Sequence, residues 1–167
     1  MNLFLANSTV IRSFDSYASN LINKQISIFA NRGASGIEGL IASACGVADA
    51  AKKITTLVIG DISFLHDLNS LQLIKESKVI VIIANNYSGG IFSLLPIAQD
   101  KSLEVPLTTP HDYSFKYACQ QFDLDYKKVE SKNQLTEVYL KAVENNQTCI
   151  IEVPFSNNDN IEIYKKL

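Results

Sequence analysis

A chain of 167 residues with a formal net charge of −2 has room for one domain, and it offers no broad basic surface to nucleic acid or to an anionic membrane. With 47% apolar and 19% charged residues it has the balance of a soluble globular protein, and no apolar run reaches the roughly 18 residues of a membrane-spanning helix. Cys45, Cys119 and Cys149 form no C-x-x-C pair, which argues against a zinc site and for buried, reduced thiols in a cytoplasmic protein.

The elements alternate from the start. Leu3–Ala6 reads as a first strand, with Ser8 as the N-cap of a helix through Val10, Ile11, Phe14 and Tyr17. Gln25–Ala30 is a second strand, followed by the Gly-rich turn 31–36 and an Ala-rich helix from Ile37 to Lys52. Thr55–Ile59 is a third strand ending in Gly60-Asp61, and a helix through Leu68, Leu71, Leu73 and Ile74 follows. Val79–Ala84 is almost wholly apolar, the mark of a parallel strand covered on both faces. Asn85–Gly90 is a loop by composition, and Gln99–Pro110 reads as irregular. A helix at Tyr113–Phe122, a strand at Tyr126–Val129, a helix at Ser131–Asn145 and a strand at Thr148–Val153 complete the pattern.

Six such alternations predict an α/β fold, a three-layer α/β/α sandwich around a mainly parallel six-stranded sheet, with residues 1–167 forming a single domain. In these sheets ligands bind beyond the carboxyl ends of the strands, so the turns after strands two, three and four are where function is expected.

Asp61 and Asn86 stand 25 residues apart in sequence, and one strand-helix-strand unit brings both to the same edge of the sheet. A carboxylate, an amide oxygen and the backbone carbonyl of Ser88 are hard donors that suit Mg²⁺ or Ca²⁺ and not zinc. Water and two diphosphate oxygens would complete such a shell. Gly60 permits close backbone approach, and the helix start after Asp61 offers amide donors. Taken alone, Gly-Asp at a helix start and Asn-Asn in a turn are also ordinary loop chemistry.

Gly60-Asp61 followed by Asn85-Asn86 resembles the signature of thiamine-diphosphate enzymes, although Ile62 stands where most of them have a further glycine. Three more blocks narrow the resemblance. Asn31-Arg32-Gly33-Ala34-Ser35-Gly36-Ile37-Glu38-Gly39, Ile91-Phe92-Ser93-Leu94-Leu95-Pro96, and Asn7-Ser8 with Arg12 are similar to segments of the SEPHCHC synthases of menaquinone biosynthesis. Four ordered blocks extend the resemblance over nearly the whole chain.

The resemblance implies specific roles. Asp61 and Asn86, with the Ser88 carbonyl, would hold Mg²⁺. Ser35 and the turn around Gly60 and Ile62 would lie near the diphosphate of thiamine diphosphate, and Ile91, Phe92 and Leu95 would form an apolar wall around the reacting part of the cofactor. Ser8, Arg12 and Arg32 would hold substrate carboxylates, a task suited to the rigid guanidinium fork. The implied reaction is decarboxylation of 2-oxoglutarate followed by addition of the succinyl unit to isochorismate. The glutamate that activates the cofactor belongs to a separate pyrimidine-binding domain on a partner subunit, so this chain holds no catalytic acid or base of its own. It is expected to be inactive alone, as an excised domain or half of a split enzyme, and to work in a homodimer or higher oligomer. Two other readings stand beside this one: the equivalent domain of another thiamine-diphosphate decarboxylase or carboligase, and a non-catalytic assembly module. His66 and His111 match no motif, and Asp67, Asn69, Asp123 and Asp125 read as turn and capping residues.

Overall fold

The computed structural model describes residues 1–18, 26–31, 36–156 and 161–163. Six strands, β1 (Asn2–Leu5), β2 (Ser27–Ala30), β3 (Thr55–Gly60), β4 (Val79–Asn85), β5 (Tyr126–Lys128) and β6 (Cys149–Pro154), form one sheet in the order β2-β1-β3-β4-β6-β5. Every pairing is parallel, so the expected mainly parallel six-stranded sheet is present. The helices are α1 (Thr9–Tyr17), α2 (Leu40–Ala51), α3 (Asp61–His66), α4 (Leu71–Ile74), α5 (Glu104–Thr108), α6 (Lys116–Gln121) and α7 (Lys132–Glu144).

The order explains where a ligand can enter. From β1 the chain moves to β2 on one side and then crosses to β3 on the other, so the loops after β1 and β3 diverge and leave a crevice between them. The reversal also distributes the helices over both faces. On one face α2, α3, α4 and α6 pack Leu40, Ala44, Phe64, Leu71 and Cys119 against Leu57, Ile59, Val81 and Ile83. On the other, Ala142 of α7 packs with Ile80, Cys149 and Ile151. Consecutive β4 side chains therefore serve different cores, which is why Val79–Ala84 carries no polar alternation.

Local signals set the helix starts. Ser131 caps α7 by accepting from the Gln134 amide at 3.2 Å, while the Gln134 side chain accepts from the Glu130 N–H at 2.8 Å. The expected Ser8 cap is not made: Ser8 has φ 70° and its side chain makes no capping bond to α1. The helix expected from Ile37 begins instead at Leu40, because Gly39 takes a left-handed φ of 73° that ends the turn before it. The helix expected through Leu68–Ile74 is a 3₁₀ turn at Leu68–Ser70 followed by the short α4, and a separate helix, α3, precedes it. Asp67 sits at the break and accepts from the Ile41 amide and the Ser70 hydroxyl, both at 2.6 Å, which ties it to the start of α2. The stretch expected to be irregular holds 3₁₀ turns and the short α5.

All three cysteines are buried and free. Burial pushes the thiols up, to about 11 for Cys45, about 12 for Cys119 and about 11 for Cys149, so almost no thiolate exists at neutral pH. None of the three is therefore expected to react with an aromatic disulfide reagent at pH 8 in the folded protein. All three should titrate once guanidinium unfolds it, and native labelling of any one would show that the element carrying it opens locally: α2 for Cys45, α6 for Cys119 or β6 for Cys149.

Candidate metal–diphosphate site

The carboxyl ends of β1, β3 and β4 converge on a cavity of about 60 Å³ lined by Asn7, Ser8, Gly60, Asp61, Asn86 and Ser88, among others. The parallel register makes this so: Gly60, the last residue of β3, pairs with Ala84, one residue before the end of β4. Asp61 is the first residue of α3, and Asn86 lies one residue beyond β4, so both are presented at the same level of the sheet.

Asp61 is 2% exposed. Its Oδ2 accepts from the Ser88 amide at 3.0 Å and lies 3.0 Å from His111 Nε2. Burial pushes its carboxyl above the usual carboxylate range, opposed by the Ile62 amide, His111 and the Ser88 amide. The structure thus holds a carboxylate that is costly to ionise beside donors that favour its charge. Asn86 Nδ2 is 3.5 Å from the Ser88 hydroxyl, which joins the second and third proposed ligands in one turn.

That turn is strained and heavily anchored. Tyr87 has φ 60°, which costs a non-glycine residue on the order of 1 kcal/mol or more. Its N–H donates to Asn85 Oδ1 at 2.9 Å, its carbonyl accepts from the His111 N–H at 3.0 Å, and its hydroxyl accepts from Lys128 Nζ at 3.2 Å. Asn85 is itself fully buried and donates to Glu152 Oε1 at 2.9 Å. The Tyr126 hydroxyl donates to Glu152 Oε2, and Lys128 Nζ lies 3.6 Å from Oε1. Burial, then Glu152, pushes the Tyr126 hydroxyl upward, so it remains a proton donor at physiological pH. A buried carboxylate on β6 therefore fixes the end of β4 through charge-assisted bonds.

Among the described residues no three His, Cys, Asp or Glu side chains gather as a metal cluster. A cation here would rest on one carboxylate, amide and carbonyl oxygens, water and the oxygens of its own ligand, the donor set of a Mg²⁺–diphosphate group. Gly60 supports the fit, since a Cβ at this position would meet nothing within 4 Å and the backbone is open to close approach. The α3 helix behind it is only six residues long, so side chains and turns carry more of the site than a helix dipole does.

The other expected residues divide into three groups. Ser8 and Ile91 join Asp61, Ile62 and Asn86 in the cavity lining. Phe92, 40% exposed, lines a neighbouring cavity of about 570 Å³ with Ile37, Ile62, Val105 and His111, while Leu95 is 47% exposed on the surface beyond. Arg12 is exposed and donates from Nη1 to the Ser8 carbonyl at 2.8 Å, which holds the strained Ser8 at the lip of the cavity. Arg32 and Ser35 lie outside the described residues. Gly36, which follows them in sequence, is tied to the cavity lining: Asn7 Nδ2 donates to the Gly36 carbonyl at 2.8 Å. His66 is exposed at the end of α3, and Asp123 pairs with Lys75 on the surface at 2.9 Å. His111, which matched no motif, is in contact with Asp61.

Residues 15–153 match the family profile described as thiamine pyrophosphate enzyme, C-terminal TPP binding domain. The chain is 43% identical over 168 aligned positions to a 2-succinyl-5-enolpyruvyl-6-hydroxy-3-cyclohexene-1-carboxylate synthase of Chlorobaculum parvum, covering 99% of this chain and 29% of that protein. It is 41% identical to the synthase of that name from Shewanella halifaxensis, covering 93% and 28%. Among solved structures it resembles the benzoylformate decarboxylase of Polynucleobacter necessarius, with a TM-score of 0.76, 19% identity and coverage of 94% and 30%. It also resembles the thiamine diphosphate-dependent 4-hydroxybenzoylformate decarboxylase of Rhodococcus jostii, with a TM-score of 0.73, 21% identity and coverage of 93% and 29%. At those identities the two structures speak for the fold alone. The chain spans under a third of the length of the relatives it matches. On the profile match and the fold together, the chain belongs to the thiamine pyrophosphate enzymes and is a C-terminal cofactor-binding domain of that family.

Proposed function

We propose that this chain is the Mg²⁺- and diphosphate-holding domain of a SEPHCHC synthase, which decarboxylates 2-oxoglutarate and adds the succinyl unit to isochorismate on the route to menaquinone. The observation that carries the reading is the buried Asp61 carboxylate joined to the Asn86–Ser88 turn, in a chain about 40% identical along its length to synthases of that name. When bound, thiamine diphosphate supplies the electron sink for decarboxylation and carbon–carbon bond formation.

The residues of this chain bind and orient. Asp61, Asn86 and the Ser88 carbonyl would hold the metal, and Gly60 and Ile62, with Ser35, would border the diphosphate. Ile91, Phe92 and Leu95 would keep water from the reacting end. Ser8, Arg12 and Arg32 would clamp the carboxylates of two dianionic substrates. The activating glutamate would come from a pyrimidine-binding domain elsewhere in the enzyme, in keeping with the share of the relatives that this chain spans. A cytoplasmic homodimer or higher oligomer would bring the two domains together. Among the described residues no helix is long and apolar enough to cross a membrane.

Calorimetry tests the reading directly. Thiamine diphosphate should bind the full-length enzyme only with Mg²⁺ present, and Asp61→Ala should abolish that binding. The full-length enzyme should turn over 2-oxoglutarate with isochorismate and not pyruvate, whereas residues 1–167 alone should not. A preference for pyruvate would point to another decarboxylase of the family. Arg12→Ala should lower kcat/KM by about 10–100-fold with cofactor affinity unchanged, the loss expected for one charge-assisted contact to a substrate carboxylate.

The elevated Asp61 pKa gives a stability test with a defined sign. Its folded value lies above the unfolded one, so ionisation opposes folding and the loss appears as pH rises through the carboxylate range. Metal-free Asp61→Asn should therefore melt higher than wild type at neutral pH, and the gap should close as the pH falls below that range. Mg²⁺ with thiamine diphosphate should raise the melting temperature of wild type only. A variant that melts lower at neutral pH would mean that the ionised carboxylate is net stabilising.

A further inference from the structure

Among the described residues, the imidazole of His111 stands apart from every expectation drawn from the sequence. Its side chain is 3% exposed, its Nε2 lies 3.0 Å from Asp61 Oδ2, and Asp61 is 50 residues away in sequence. The ring is fixed on three sides. It stacks on Tyr113 with centroids 5.1 Å apart and planes 11° apart, and it meets Phe115 and Tyr87 at 6.1 and 6.0 Å. The Tyr113 N–H donates to Nδ1 at 3.3 Å, which makes Nδ1 the acceptor. With Nδ1 accepting, Nε2 is the ring nitrogen left to donate to the Asp61 carboxylate.

The backbone of the same residue reaches the other half of the site. The His111 N–H donates to the Tyr87 carbonyl at 3.0 Å, and three residues earlier the Thr108 carbonyl accepts from the Gly89 N–H. The short segment between α5 and α6 thus straps the turn that carries Asn86 and Ser88, while its histidine holds Asp61. A single residue touches both elements that would supply metal ligands. Mg²⁺ demands near-ideal octahedral geometry, so the relative placement of these elements bears directly on affinity.

We propose that His111 is a positioning residue of the metal–diphosphate site, which orients the Asp61 carboxylate through Nε2–H and fixes the Asn86–Ser88 turn through its own amide. The proposal rests on the reading of this site as a Mg²⁺ site. It acts through the ligands and assigns the histidine no contact with the cofactor or the substrates.

The test compares His111→Leu, which fills the space without a donor, with His111→Gln, whose amide can donate to the same oxygen. Both keep the backbone N–H. In the full-length enzyme, Mg²⁺ affinity in the presence of thiamine diphosphate is measured by calorimetry, and Mn²⁺ is followed by its paramagnetic resonance signal as an independent readout. His111→Leu should weaken the metal by roughly tenfold or more, the loss typical when a group behind a metal ligand is removed. His111→Gln should restore most of that affinity, and the metal-free melting temperatures of the two variants should agree. Wild-type affinity in His111→Leu, or an equal loss in both variants, overturns the proposal. Should His111→Leu fail to fold, His111→Asn replaces it, its amide one methylene too short to reach Asp61; equal affinity of the Asn and Gln variants then overturns it. If wild type itself binds no metal with the cofactor, the reading of the site fails, and that result is distinct from any difference among variants.

Discussion

The carboxylate of Asp61 stands just beyond the end of β3 and is almost wholly buried. An isolated charge in such a place would be expelled or neutralised, because burying it costs several kcal/mol without partners. Here the neighbouring elements bring donors to it: the Ser88 amide from the turn after β4, the Ile62 amide from its own helix, and a histidine ring from the strap before α6. Those elements converge on one carboxylate, the group proposed above as a ligand of a divalent cation. Under the proposed function, a bound cation would supply an opposite charge to this buried carboxylate.

Around that point the fold has a simple division of labour. Apolar strands fix the level at which each loop leaves the sheet, and β4 does so from the middle of it, paired on both edges by β3 and β6. Polar side chains then fix the loops. Glu152, 1% exposed, receives Asn85 and Tyr126 and so carries order from the last two strands to the Asn-Asn turn. Tyr87 can hold its left-handed conformation because Asn85, His111 and Lys128 each anchor a different part of it. Strain of this kind persists only where the surroundings over-determine it.

Most of this was legible in the sequence for physical reasons, and the failures have physical reasons too. Val79–Ala84 had to be a buried parallel strand, and Gly60-Asp61 with Asn86 had to share an edge once β3 and β4 were parallel neighbours. The helix after Asp61 was harder to read, because Asp67 diverts its bonding capacity to the Ile41 amide and breaks the helix between His66 and Leu71. Ser8 has the composition of a cap but takes a conformation that leaves the capping bond unmade. His111 was beyond reach of local pattern: its partner is distant in the chain, and the strap that delivers it has no regular periodicity. Contacts that cross the sheet edge through loops leave no trace in spacing.

The position of β6 has a consequence for how such a domain is made. It is the last of the six strands to be synthesised, yet it inserts between β4 and β5 and carries Glu152 into the heart of the polar network. A nascent chain that has emerged only as far as α7 has Asp61 and Asn86 along its length but an open edge on β4 and no acceptor from Glu152 for the Asn85 side chain. Closure of the Asn85–Glu152 contact is thus deferred until β6 has left the ribosome. A chain that ends between α7 and β6 carries Asp61 and Asn86 but lacks Glu152, the buried partner of Asn85.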